Sequence, residues 1–180
     1  MPLLWALWLS RKSKNLIALR YRGVKAEGKR QKPVVIVDLF QPKSAAEVQP
    51  PIVNRMSATC PCCGYTTPYK SVREQLRKKR GGTMDARMVA VITLDKHGGR
   101  HFRLPEEADL KAAEKARREL DRVVRVHTGP WPFVPNEPTP PDGTLGYRIN
   151  KYGMEQWSDA YLPRQALALG TLCCLVGEAR

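Results

Sequence analysis

Thr59-Cys60-Pro61-Cys62-Cys63-Gly64-Tyr65 is the stretch around which the rest of the chain can be read. Cys60 and Cys63 have the C-x-x-C spacing that lets one tight turn aim two sulfurs at one metal ion. Gly64 can take the left-handed conformation that bends the chain back beneath such a pair. Cys62 lies between the two and is expected to point elsewhere. The spacing alone is shared by zinc sites and redox pairs. The Gly-Tyr that follows and the basic flanks favour zinc, with a plain structural loop as the alternative. The expected fold class is α+β: a small antiparallel sheet with a zinc-ribbon-like knuckle, one long helix and a C-terminal apolar helix.

A structural zinc ion takes four ligands, and this stretch supplies two. Cys173 and Cys174 are adjacent in an apolar run, where neighbouring helical positions diverge by about 100°. They read as small buried hydrophobes, not as a chelating pair. His97 and His101 have the spacing of a finger helix, but Gly98-Gly99 between them reads as a hairpin tip. The expectation is therefore a zinc half-site at Cys60 and Cys63.

The 180 residues carry a net charge of +14, distributed unevenly. Residues 1–80 hold 17 Lys and Arg against 4 Asp and Glu, a surplus of 13, whereas residues 81–180 hold 14 against 13. That asymmetry points to a polyanion, DNA first, as the partner of the first half. A merely solvated basic surface is the bland reading. No apolar run reaches the ~20 residues that span a bilayer. An odd number of cysteines with one C-x-x-C suggests a reducing compartment, the cytoplasm, over a disulfide framework.

In chain order, Leu3 to Ser10 and Asn15 to Arg22 read as a paired hairpin, and Val34 to Phe40 as a β-branched strand. Gln41 to Pro51 is a loop. Tyr69 to Arg80 reads as a short helix stopped by Gly81-Gly82. Its cations are Lys70, Arg73, Arg77, Lys78, Lys79 and Arg80. With Arg11, Lys12 and Lys14 they are the candidate phosphate contacts, of a kind that gives affinity without sequence choice. A hairpin over residues 87–104 precedes a long helix to Val126, whose core stripe is Leu110, Ala113, Ala116, Leu120, Val123 and Val124. A Pro-rich connector leads to a short strand at Leu145 to Ile149, a helical turn near Glu155 to Tyr161, and an apolar helix from Pro163. The expected divisions are residues 1–127, a connector at 128–144 and a helical segment at 145–180.

No phosphate-binding glycine loop and no nucleophile elbow occurs, and no catalytic residues are assigned. Several blocks nevertheless resemble one family in a single order. They are Ala58 to Pro68, Val72-Arg73-Glu74-Gln75-Leu76 and Gly81 to Arg87. Pro2-Leu3-Leu4, Trp8 to Lys12, Gly143 to Arg148, Tyr152-Gly153-Met154, Trp157 and Pro163 to Leu169 extend the match over nearly the whole chain. Together they look like the central region of the bacterial and archaeal adenine-specific DNA methylases that contain a zinc ribbon. In that family the first Cys pair of the ribbon and the S-adenosylmethionine motif lie before the segment matching Met1 to Leu4. The Pro-Pro-Tyr catalytic loop lies after the position of Arg180. The resemblance thus implies an internal fragment of a methyltransferase, with S-adenosylmethionine used only by the complete family protein. The expected role is accessory DNA contact, without catalytic competence alone. The alternatives are a methyltransferase completed in trans by a partner chain, a homodimer pooling two Cys pairs, and a non-functional truncated remnant.

Overall fold

The computed structural model describes residues 1–180 except 13–14, 26–31, 145 and 180. Residues fall into two units. One comprises Met1–Val72 with Arg87–Pro105, the other Arg73–Ala86 with Glu106–Arg180. The architecture is α+β, with small antiparallel sheets and a C-terminal helix.

The first unit is built on three antiparallel strands, β1 (Trp8–Lys12), β2 (Asn15–Val24) and β3 (Val34–Phe40), in the order β1-β2-β3. β3 is a strand because Val34, Val35, Ile36 and Val37 are β-branched and stiff at χ1. Its alternation buries Val35 and Val37. With Leu7, Leu19, Ile52 and Cys62 they form the core. β2 pairs with β3 over seven positions, from Ala18 opposite Phe40 to Val24 opposite Val34.

β1 begins at Trp8, not at Leu3, and runs past Ser10 through Arg11 and Lys12. The reason lies on the edge of β2. The Leu19 N–H still reaches the Leu7 carbonyl at 2.7 Å. Two residues on, the Tyr21 N–H donates to Oε1 of Gln49 at 2.9 Å. The loop after β3 therefore occupies the edge that a longer β1 would need. The Tyr21 hydroxyl donates to the Pro50 carbonyl at 2.9 Å, and burial pushes this phenol's pKa up.

A second hairpin joins β4 (Ser57–Thr59) to β5 (Thr66–Pro68), and a third joins β6 (Val91–Leu94) to β7 (Arg100–Arg103). β6 starts later than the apolar run Met88 to Ile92 suggests, because β7 offers only four partners. At its tip the Asp95 carboxylate accepts the N–H groups of Gly99 at 2.7 Å and His97 at 2.8 Å.

In the second unit, α2 (Glu107–Val126) packs with α3 (Pro163–Glu178). Ala113, Ala116, Leu120 and Val123 of the expected stripe are half-buried, whereas Leu110 and Val124 are exposed. Gly170 lets α3 approach Phe133 closely, since a Cβ there would lie 2.6 Å from the Phe133 ring. The Pro-rich segment is ordered. The Thr139 hydroxyl donates to the Met154 carbonyl, the Trp157 N–H to Glu137 and the Ser158 N–H to Pro135. No strand forms near Ile149, which instead opens a 3-10 turn, Ile149–Tyr152. Gly146, inside the expected strand, sits at positive φ and interrupts it; Leu145 lies outside the described residues. Cys174 is half-buried, but Cys173 is exposed, against the expectation of a buried pair. Helical geometry turns one of two adjacent residues away from the packed face.

Candidate metal and nucleic-acid sites

The turn between β4 and β5 carries the cysteines. The Cys60 N–H donates to the Tyr65 carbonyl at 2.9 Å, and the Gly64 N–H returns to the Cys60 carbonyl at 2.8 Å. Gly64 has φ 74°, the left-handed backbone that closes the turn without strain in glycine. Below it, the Thr59 and Thr66 hydroxyls lie 3.0 Å apart across the hairpin. Gly23 of β2 passes so close beneath that a Cβ would lie 2.3 Å from the Pro61 carbonyl oxygen. The strand thus supports the turn from below.

The three cysteines of this turn separate by environment. Cys62 is buried in the core, and its Sγ donates to the Val34 carbonyl at 3.5 Å. Burial pushes its thiol pKa up, and the neighbouring Cys60 adds to that. Cys60 is half-buried and Cys63 exposed. The N–H groups of Cys62 and then Cys63 point at the Cys60 sulfur and hold its pKa below the ordinary thiol value. The thiols of Cys63 and then Cys62 lower it further, so both lie near the Cys60 sulfur. A pair of adjacent thiols suits half of a tetrahedral thiolate site. Among the described residues no three His, Cys, Asp or Glu side chains converge, so no second half is present there. His101 turns instead to Asp95, at 3.3 Å. His127 meets the Trp131 carbonyl at 2.9 Å.

The basic residues divide by what they already do. In α1 (Tyr69–Arg77) and the turn after it, Arg73 lies over the Tyr152 ring at 5.2 Å, and Arg77 Nε donates to the Lys151 carbonyl at 3.1 Å. Lys79 pairs with Asp85. Arg80 grips the buried Asp159 at 2.9 Å through Nε and 3.1 Å through Nη2. Asp159 also accepts the N–H groups of Glu155 and Gln156, each at 3.0 Å. Arg80 is therefore a structural cation whose five-donor fork matches one carboxylate. Lys70 and Lys78 are exposed and form no ion pair among the described residues. Lys78 edges a cavity of about 630 Å³ floored by Leu120, Val124 and Tyr161.

On the sheet, Arg11 and Lys12 are exposed at the end of β1, Arg11 5.3 Å from the Trp8 ring centroid. Lys14 lies outside the described residues. Sequence reasoning passed over Arg20 and Arg22, which stand exposed on β2 between Leu19, Tyr21 and Gly23. The period-two alternation Leu19-Arg20-Tyr21-Arg22 carried that signal. Comparison of the chain with family models, with curated proteins and with solved structures finds no match to any of them.

Proposed function

We propose that this chain is an accessory, DNA-contacting region of an adenine-specific DNA methyltransferase, holding half of a zinc site and none of the methyl-transfer machinery. The observation that carries this reading is the β4–β5 hairpin: Cys60 and Cys63 at C-x-x-C spacing on one Gly64-closed turn, set in a chain half with a surplus of 13 positive charges. The blocks that resemble zinc-ribbon methylases suggest the enzyme class. The reading places zinc on Cys60 and Cys63 as a zinc-ribbon knuckle. The other two ligands come from a second copy or a partner methyltransferase chain. S-adenosylmethionine and the reacting adenine belong to that partner's machinery, and no residue here is assigned to either. Bound zinc would supply structural cross-linking only, fixing the hairpin and the cations near it.

Phosphate contact falls to the exposed cations that form no ion pair among the described residues, two of which, Arg11 and Arg20, also lie over the Trp8 and Phe40 rings at 5.3 and 5.7 Å. Arg11 and Lys12 on β1, Arg20 and Arg22 on β2, and Lys70 on α1 are exposed in the first unit. Lys78 is exposed in the second. Arg73, Arg77, Lys79 and Arg80 act first as structural cations, so their substitution confounds folding with binding.

Two measurements test the reading. Zinc content of protein purified without added metal, taken with solution mass, should be half an equivalent per chain in a dimer. A full equivalent is expected only with a partner chain. No zinc under any of these conditions rejects the half-site. Binding to a short DNA duplex, titrated with salt, should lose about 0.9 from the log–log slope for each phosphate contact removed in Arg20→Ala, Arg22→Ala or Lys70→Ala. Slopes that do not change in any of the three reject the DNA contact.

A further inference from the structure

The chain entering β1 is fixed at two points. The Leu4 carbonyl accepts the Val53 N–H at 3.2 Å, and the Leu7 carbonyl accepts the Leu19 N–H at 2.7 Å. Leu7 lies in the core of the first unit, and Leu4 packs against it. Between these anchors Trp5 stands 57% exposed. Its indole has no ring or cation partner among the described residues. An indole carries one of the largest apolar surfaces of any side chain, and here a backbone pinned on either side holds it out of the core.

Trp5 and Trp8 line one cavity of about 380 Å³, with Arg11, Val48, Gln49 and Pro51 among its other walls. No Asp or Glu lines it. Glu47, next to Val48 in the chain, accepts the Lys43 N–H at 3.0 Å. Arg11 is exposed, and its guanidinium stands 5.3 Å from the Trp8 ring centroid, a cation–π contact that keeps a positive charge at the cavity wall. Gln49 has a fixed orientation. The Tyr21 N–H is a donor, so the Gln49 atom it meets at 2.9 Å is the amide oxygen. The NH2 half of that amide is left to donate elsewhere, with no partner among the described residues.

The cavity thus offers aromatic faces, one cation and one neutral donor. Their joint complement is a flat ring with polar edges and a negative charge beside it, which is a nucleotide. Indoles stack on any base, an Arg meets its phosphate, and an amide NH2 donates to a ring nitrogen or carbonyl oxygen. The volume lies at the small end of ligand pockets, roughly 300–1,000 Å³, and suits one ring system. A Pro-rich peptide, another ligand of aromatic grooves, needs an extended groove and offers Arg11 no negative charge. In a duplex the base faces are covered by one another, so only an unpaired strand presents one. We infer that the Trp5–Trp8 cavity is a base-stacking site for single-stranded DNA. This inference rests on the DNA-contacting reading above and adds to it a contact that needs a base.

Fluorescence polarisation of the full chain with two labelled single strands tests it. One is oligothymidylate of about ten nucleotides, within the span of a single-strand-binding fold. The other is an abasic deoxyribose-phosphate oligomer of the same length. Their charges are equal, so phosphate contacts contribute alike to both. Oligothymidylate should bind roughly 5- to 150-fold more tightly, the range expected for one stacked base. Trp5→Ala should close that gap, and Trp5→Phe, which keeps an aromatic ring, should retain most of it. Equal affinity of the wild-type chain for the two strands overturns the stacking site and leaves the DNA contact standing. Binding of neither strand at low salt overturns both. A gap that survives Trp5→Ala, in a variant with unchanged circular dichroism, overturns the site as well. Photocrosslinking of the wild-type chain to an iodouracil-substituted strand gives a readout that needs no variant. Attachment at Trp5 or Trp8 is expected, and attachment only elsewhere overturns the proposal.

Discussion

The two units of this chain hold themselves together in different ways. Of the ten buried hydrophobic residues described, nine lie in the first unit and only Ala166 lies in the second. Both buried polar residues, Thr139 and Asp159, lie in the second. The first unit is a sheet-backed apolar core, which tolerates volume-conserving exchange and fails when a cavity opens. The second has little fully buried apolar surface and is ordered by directional contacts, led by the Arg80–Asp159 pair. Such a region owes its shape to a few polar partners, whose removal strands several donors at once.

That contrast can be broken or sharpened by substitution, with Trp8 reporting on the first unit and Trp157 on the second. The largest effect is expected from Leu19→Ala, which empties a 2%-exposed core position. It should cost the first unit about 2–5 kcal/mol in urea unfolding. The Trp157 transition should move far less. Next comes Asp159→Ala, which strands Arg80 and two backbone N–H groups. A loss of about 2–3 kcal/mol is expected in the Trp157 transition, from hydrogen bonds to a charged group. If Asp159→Ala proves silent, the second unit is not held by its polar contacts and the comparison fails. Gly170→Ala should destabilise the same unit by about 1–3 kcal/mol, because the added methyl overlaps Phe133 and its carbonyl.

The smallest effect concerns pH and lies at the β6–β7 tip. The N–H groups of Gly99 and then His97 hold the Asp95 carboxyl below its ordinary pKa. A carboxyl depressed in the folded state contributes stability that is fully present above its unfolded pKa, about 3.9. That contribution is lost as pH falls through the folded value. Amide hydrogen exchange at Gly99 should therefore accelerate as pH drops below about 4, beyond the intrinsic trend. Asp95→Asn should remove the excess acid dependence. A wild-type profile identical to that of the variant would show that the tip does not depend on the carboxylate.

Much of the element order was legible because local signals were strong. β3 matched its β-branched run, α2 its capped amphipathic stretch, and the His97–His101 segment its Gly-rich hairpin tip. The start of β1 was not legible, because the occupant of the β2 edge, Gln49, lies far along the chain. At the expected strand before Ile149 the positive φ of Gly146 turns the chain, which its apolar neighbours masked. At the cation cluster the difficulty was chemical. A run such as Lys78-Lys79-Arg80 reads as one basic patch, yet its members diverge: Arg80 to Asp159, Lys79 to Asp85, Lys78 outward. The partners lie 79 residues away for Arg80 and six for Lys79.

By itself, the sequence determined the α+β class, the two-cysteine turn with its glycine, the excess of positive charge before residue 81 and the apolar character of α3. Those are local or additive properties: backbone preference, spacing and charge. Tertiary structure decided which cations remain exposed and which lock onto a carboxylate or carbonyl. It also decided that Cys62 enters the core while Cys60 and Cys63 stay near the surface, and which side of α3 is covered. The physical reason is the same in each case: a polar or apolar group's role depends on what long-range folding places beside it, and neighbours in space are not neighbours in sequence.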